Sequence, residues 1–208
     1  MKHLLLIGLL AFTSNVLADI IEIDATNSGF YTSSGFRNGP VSSIFAGDGS
    51  NRNWIAFDLS VITDEILSAS LTIYNDVAND DGIHFTWSEV ATPISEVFTS
   101  AGDGVDIFND LNDGSVFATG TTASGGNDVY SLTDAALLSL NNASSYWLMG
   151  GATADDLGRA YGFTNGVSSG DQIRLTLETS FAAVPVPAAI WLFGSGLIGI
   201  VAVARRKH

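Results

Sequence analysis

The chain has no cysteine, only four prolines, and only eight lysines and arginines among its 208 residues. The missing thiols remove disulfide frameworks, thiolate zinc sites, iron–sulfur clusters and cysteine nucleophiles together. The scarcity of positive charge argues against nucleic acid as a partner, because phosphate backbones are held by basic patches and the formal charge here is −14. Lysine occurs only at Lys2 and Lys207, so residues 19–183 contain none. In that stretch Arg37, Arg52, Arg159 and Arg174 stand against 22 acidic residues, a balance of −18.

Long apolar runs are confined to the two ends. Met1-Lys2-His3 is a cationic start, residues 4–12 are apolar, and Val16-Leu17-Ala18 precedes Asp19. This order predicts a secretory signal peptide over residues 1–18, with small residues at the −3 and −1 positions and cleavage by signal peptidase after Ala18. An apolar run this short cannot span a hydrocarbon core of roughly 30 Å.

Residues 184–204 carry no charge and are followed at once by Arg205-Arg206-Lys207. At about 1.5 Å per helical residue such a run crosses a bilayer. The expectation is a transmembrane helix over residues 188–204, a basic cytoplasmic tail over 205–208, and residues 19–183 outside the inner membrane. Gly194-Ser195-Gly196-Leu197-Ile198-Gly199 spells the dinucleotide fingerprint, but that motif works between a strand and a helix N-terminus, with an acid about 20 residues on. Small residues that let another membrane helix approach are the better reading.

The block Val184-Pro185-Val186-Pro187-Ala188-Ala189-Ile190-Trp191-Leu192-Phe193-Gly194-Ser195-Gly196, closed by Arg205-Arg206-Lys207, resembles the PEP-CTERM protein-sorting domain. The positions that carry the resemblance are Val184, Pro185, Val186, Pro187, Ala188, Trp191, Gly194, Gly196, Arg205, Arg206 and Lys207. It implies a Gram-negative bacterium that makes exopolysaccharide, and a membrane-embedded exosortase that recognises and processes the tail. Val186 stands at the middle of the Pro-Glu-Pro core, as in the Val-Pro-x-Pro-Ala variants. The two prolines cannot join a helix interior, so residues 184–187 are expected to be extended just outside the bilayer.

Residues 19–183 have the length of one domain. Ile55, Phe57 and Leu59 alternate with polar or small neighbours, as do Ala69, Leu71 and Ile73, then Ile83, Phe85 and Trp87, then Ile173, Leu175 and Leu177. Period two over short runs, broken by Gly, Asn and Asp clusters, predicts half-buried antiparallel strands. Further strands are expected at residues 20–24, 43–46, 116–119, 129–132 and 146–150. The fold class is therefore all-β, a β-sandwich and most simply a jelly roll. One helix is expected over 135–140, capped by Thr133 or Asp134, and a shorter one over 105–111. Residues 52–60 with 66–74, and 146–151 before a final strand, loosely resemble bacterial surface jelly-roll modules.

No catalytic constellation stands out. Gly166-Val167-Ser168-Ser169-Gly170 matches the nucleophile elbow, yet His84 precedes it and the segment lies in a turn. His84 reads as a solvated strand residue. Asp76, Asp80, Asp81, Asp103, Asp106, Asp110 and Asp113 cluster in loops without EF-hand spacing, which leaves a structural Ca²⁺ as a minor expectation and no other cofactor. Glycoside hydrolysis would need a paired set of carboxyl groups that sequence cannot single out. For saccharide binding the available aromatics are Trp54, Trp87, Trp147, Tyr31, Tyr74 and Tyr130, with Trp87 expected in the core and Tyr31 and Tyr74 on the surface.

Taken together, the expectation is a non-enzymatic exported protein. It is anchored transiently in the inner membrane, then released to the cell surface or extracellular matrix in a structural or interaction role linked to exopolysaccharide or biofilm. A carbohydrate-binding module is the alternative, and a glycoside hydrolase a more distant one. Signal peptidase, exosortase and exopolysaccharide are the expected partners.

Overall fold

Alternating apolar and polar residues place one side of each strand against a core and leave the other free, and the chain builds two sheets on that rule. A computed structural model describes residues 18–39, 46–47, 49–75, 82–99, 102–123, 126–153, 159–161 and 173–180. The unit they form runs from Ala18 to Ser180. Its strands are β1 (Ala18–Asp24), β2 (Asn27–Thr32), β3 (Arg37–Asn38), β4 (Ala46–Gly47), β5 (Asn51–Asp58) and β6 (Ile66–Asn75), followed by β7 (His84–Glu89), β8 (Val116–Thr121), β9 (Gly126–Ser131), β10 (Tyr146–Thr153), β11 (Arg159–Ala160) and β12 (Ile173–Ser180). Among the described residues three helices interrupt them: α1 (Ile94–Thr99), α2 (Gly104–Asp110) and α3 (Asp134–Asn142).

The first sheet has the order β1-β12-β6-β9, and the second runs β11-β4-β5-β10-β7-β8, with β2 also on β5 and β3 on β2. The pairings are antiparallel throughout. The inner faces share one core. Leu71, Ile73, Leu175 and Leu177 from the first sheet meet Ile55, Phe57, Phe85, Trp87 and Met149 from the second. The fold is an all-β sandwich with few helices, as the sequence periodicity predicts.

Local chemistry fixes the helices. Thr133 sits extended before α3 and its side-chain oxygen accepts from the Ala136 backbone N–H, so the expected cap is in place. Asp134 in the first turn suits the positive end of the helix dipole. Asn141 near the end of α3 ties it to β6: its Oδ1 accepts from Ile66 N at 2.9 Å, and its Nδ2 donates to Ile66 O at 2.9 Å and to Leu137 O of its own helix at 3.0 Å. Asp103 caps α2 by accepting from Val105 N at 2.8 Å.

The sequence did not announce β2, β3 or α1. Helix α1 has six residues, too few to display a 3.6-residue period. In β2, Gly29, Phe30 and Tyr31 are buried in succession, which erases alternation. Of the strand expected over 43–46, residues 43–45 lie outside the described set and Ala46 opens β4.

Candidate interaction surface and sorting segment

The outer faces of the two sheets differ, and that difference locates the open surface. On the second sheet, α1 and α2 cover the outside: Tyr31 and Trp54 pack with Val97, Ile107, Phe108 and Leu111 in a second apolar cluster. Arg52 lies over the Phe108 ring at 4.3 Å from its centroid and donates to Phe108 O and Asn109 O, each at 3.0 Å. That places a cation at the C-terminal end of α2, where the helix carbonyls are unsatisfied.

Among the described residues nothing covers the outer, largely polar face of the first sheet. Strand register aligns Ile20, Glu178 and Ser68 in one row, Glu22, Thr176, Ser70 and Ser131 in the next, and Asp24, Arg174, Thr72 and Val129 in a third. Arg174 binds Glu22 and Asp24, each at 3.0 Å. Ser68 donates to Glu178 at 2.8 Å. A groove of about 320 Å³ here mixes hydroxyls from Ser68, Ser70, Ser131 and Thr176 with apolar walls from Ile20, Ala69, Leu132 and Leu177. Tyr74 extends the same face, opposite Asn127, and is 38 % exposed.

The aromatics available for saccharide binding are largely inside the protein. Tyr31, read from sequence as a surface residue, is fully buried, and its hydroxyl donates to Val97 O at 2.8 Å. The reason is α1, whose arrival over the sheet was not legible. Trp54, Trp87, Trp147 and Tyr130 are buried too, Trp87 in the core as expected. Of the six aromatics named, Tyr74 alone is exposed.

The described acids have local duties. Asp110 accepts from Ala91 N at 3.1 Å and Thr92 N at 2.6 Å, pinning the turn before α1, while Asp103 serves as a helix cap. Asp106 and Asp113 are exposed, and among the described residues no group of three or more His, Asp or Glu side chains is placed to hold a metal. Asp76, Asp80 and Asp81 lie outside the described residues, as does 166–170. His84 is exposed at the start of β7, with its Nδ1 3.5 Å from the Thr121 hydroxyl.

One polar cluster has no counterpart in the sequence reading. Asp128 is buried on β9, accepting from Ala123 N at 2.7 Å and from the Tyr161 hydroxyl at 3.0 Å. Tyr161 and Tyr130 hydrogen bond through their hydroxyls. The Tyr161 ring meets Phe85 edge-on at 5.1 Å. Burial pushes both phenols above their ordinary range, and at Tyr161 neighbouring Tyr130 and Asp128 push in the same direction. Tyr161 also adopts φ 55°, a left-handed backbone rare for an aromatic. No periodicity marks it, because it follows a two-residue strand and its partners lie more than 30 positions away.

The sorting residues follow directly on this domain. Strand β12 ends at Ser180, and its neighbour across the ladder is Ala18, the expected signal-peptide boundary and the first residue of β1. Val184, Pro185, Val186, Pro187, Ala188, Trp191, Gly194, Gly196, Arg205, Arg206 and Lys207 lie outside the described residues. The same holds for the expected span 188–204; among the described residues no helix is long and apolar enough to cross a membrane.

Residues 183–207 match the PEP-CTERM protein-sorting motif. The motif marks the chain as an exported, cell-surface-directed protein with an exosortase as its sorting partner. It begins with only Phe181 and Ala182 between it and the last strand. No curated protein matches the chain.

Proposed function

We propose that this PEP-CTERM protein is a matrix or surface component, built as a jelly roll and used for contact rather than catalysis. The observation that carries the reading is the direct hand-over from β12 to the sorting motif, which leaves no room for a second domain between them. Residues 1–18 act as the signal peptide, 188–204 as a transient inner-membrane anchor, and the tail is removed near Pro185–Pro187 in a Gram-negative host. The strand orders support the jelly roll. With the added edge strand β2 and the two-residue strands β3, β4 and β11 set aside, each sheet holds four strands, β1-β12-β6-β9 and β5-β10-β7-β8, in the interleaved pattern of two Greek keys.

Intact-mass spectrometry tests the export route. In a host with its exosortase, the mature chain is expected to begin at Asp19 and to lack residues 188–208; without the enzyme those residues stay. A mature form that keeps 188–208 in the presence of the enzyme overturns the processing claim.

Saccharide binding is a second reading, supported by the groove of mixed hydroxyl and apolar lining and by Tyr74 on the first sheet. The burial of five of the six candidate aromatics counts against an aromatic platform. Retention on the host's exopolysaccharide should fall when Ser70→Trp fills the groove, and unchanged retention removes this reading. Hydrolysis has weaker support. Glu22 and Asp24 share Arg174 on an open face, and Asp128 is engaged by two donors away from solvent.

A further inference from the structure

We propose that β1 is an exchangeable arm whose second docking site is β12 of another copy of this chain, an interaction that neither the sorting motif nor the export reading supplies. None of the seven residues of β1 is buried. Among the described residues its strand partner is β12 alone, and seven cross-strand pairs join them. Ile21 and Ile23 also pack, partly buried, against the sandwich core, and an exchanged arm would seat them on the same core in the second copy.

The connection favours a swing rather than unravelling. Only Ala25 and Thr26 separate β1 from β2, and residues 18–28 contain neither glycine nor proline. Thr26 is fastened to the second sheet, its N–H donating to Ala56 O at 2.9 Å and its hydroxyl to the same oxygen at 3.1 Å. Ala25 belongs to the first sheet, donating to Ile173 O at 2.9 Å. The arm therefore hinges at the point where the chain changes sheets, and both sides of the hinge are already extended. Exchange between copies remakes the same contacts that it breaks, so the balance is set by protein concentration.

Charge complementarity selects the occupant. On the exposed side of β1, Glu22 and Asp24 both bind Arg174 of β12, one of four arginines in residues 19–183. Pairing two β1 edges would instead set an acid-bearing strand against its own like. The surface that fits β1 is β12, its own or a second copy's.

The chain lacks cysteine, so introduced thiols report cleanly. Glu22 and Thr176 are cross-strand partners. Such pairs lie about 4.5–5.5 Å apart at Cα, within disulfide reach. The full chain, extracted in detergent, is compared in three forms. Carrying both Glu22→Cys and Thr176→Cys, one chain should close an internal disulfide, and failure to do so overturns the proposal because the register is its premise. Differently tagged chains with Glu22→Cys and Thr176→Cys singly, co-expressed, should yield a mixed disulfide dimer. Glu22→Cys with Thr119→Cys, a position on β8 of the other sheet, should not. Adding Arg174→Glu to the Thr176→Cys chain should lose most of the dimer. A mixed dimer no more abundant than the Thr119→Cys control overturns the proposal. That failure would leave the export reading standing, since mass spectrometry tests it separately.

Discussion

The two sheets share one core but live in different surroundings. The first alternates cleanly: along β12 Ile173, Leu175, Leu177 and Thr179 are buried while Arg174, Thr176 and Glu178 are not. In the second, β5 buries Asn53, Trp54, Ile55, Ala56 and Phe57 without a break, because the sandwich core lies on one side and α1 and α2 on the other. Where α1 and α2 cover it, along β2, β5 and β10, the second sheet offers no flat outer surface, whereas the first sheet keeps Glu178 and Ser131 exposed on its outer side.

The largest effects are expected where the second sheet meets α2. Gly150 on β10 touches the turn that ends that helix; a Cβ there would come within 2.3 Å of Leu111 O. Backbone stands on both sides of that contact, so neither can rotate away. Gly150→Val should cost at least about 3 kcal/mol or prevent folding, as read by urea denaturation. Trp54→Ala follows at about 3–5 kcal/mol, since the indole packs on Phe98 at 5.3 Å and lies beneath Arg37. If either variant unfolds at the wild-type midpoint, the outer cluster is not a second core and the contrast between the sheets fails.

These residues also show what the sequence could convey. Strand existence was legible wherever one face meets water, as in β6, β7 and β12, and the α3 cap was legible because Thr133 acts on its own backbone neighbourhood. Tyr31 was misplaced because its environment is set by α1, whose Val97 carbonyl lies 66 positions away. The Asp128–Tyr161–Tyr130 cluster was invisible for the same reason, being assembled from two distant segments. The sorting segment, in contrast, is a linear signal, legible in residue order alone, and residues 183–207 match the sorting motif.

Tyr161 ranks next. Tyr161→Phe deprives Asp128 and Tyr130 of a hydroxyl, leaving Asp128 with Ala123 N as its donor, and should cost about 1–3 kcal/mol. The alkaline limb gives a sharper readout. A phenol whose pKa is raised on folding keeps its proton longer in the native state, so above about pH 10 the unfolded chain loses protons first. Stability is then fully present below that pH and declines as pH rises toward the native values. Removing one of the two phenols should flatten the decline between pH 10 and roughly 12. An unaltered slope would mean that these hydroxyls ionise alike in both states.

The smallest effects are expected on the open face, where they are the most informative about use. Thr176 points outward between Glu22 and Ser70, so Thr176→Val should move stability by less than about 0.5 kcal/mol. Arg174 holds two carboxylates, but its side chain is 40 % exposed, and solvent screening keeps such pairs under about 1 kcal/mol. Arg174→Ala should therefore leave the global unfolding midpoint almost unchanged while loosening one strand. Amide hydrogen exchange over Ala18–Asp24 is expected to accelerate relative to Asn51–Asp58, because β1 has a single ladder and β5 is buried from both sides. Equal acceleration in both strands would show that β1 opens only when the sandwich does, and would erase the distinction between a covered sheet and one with a removable edge.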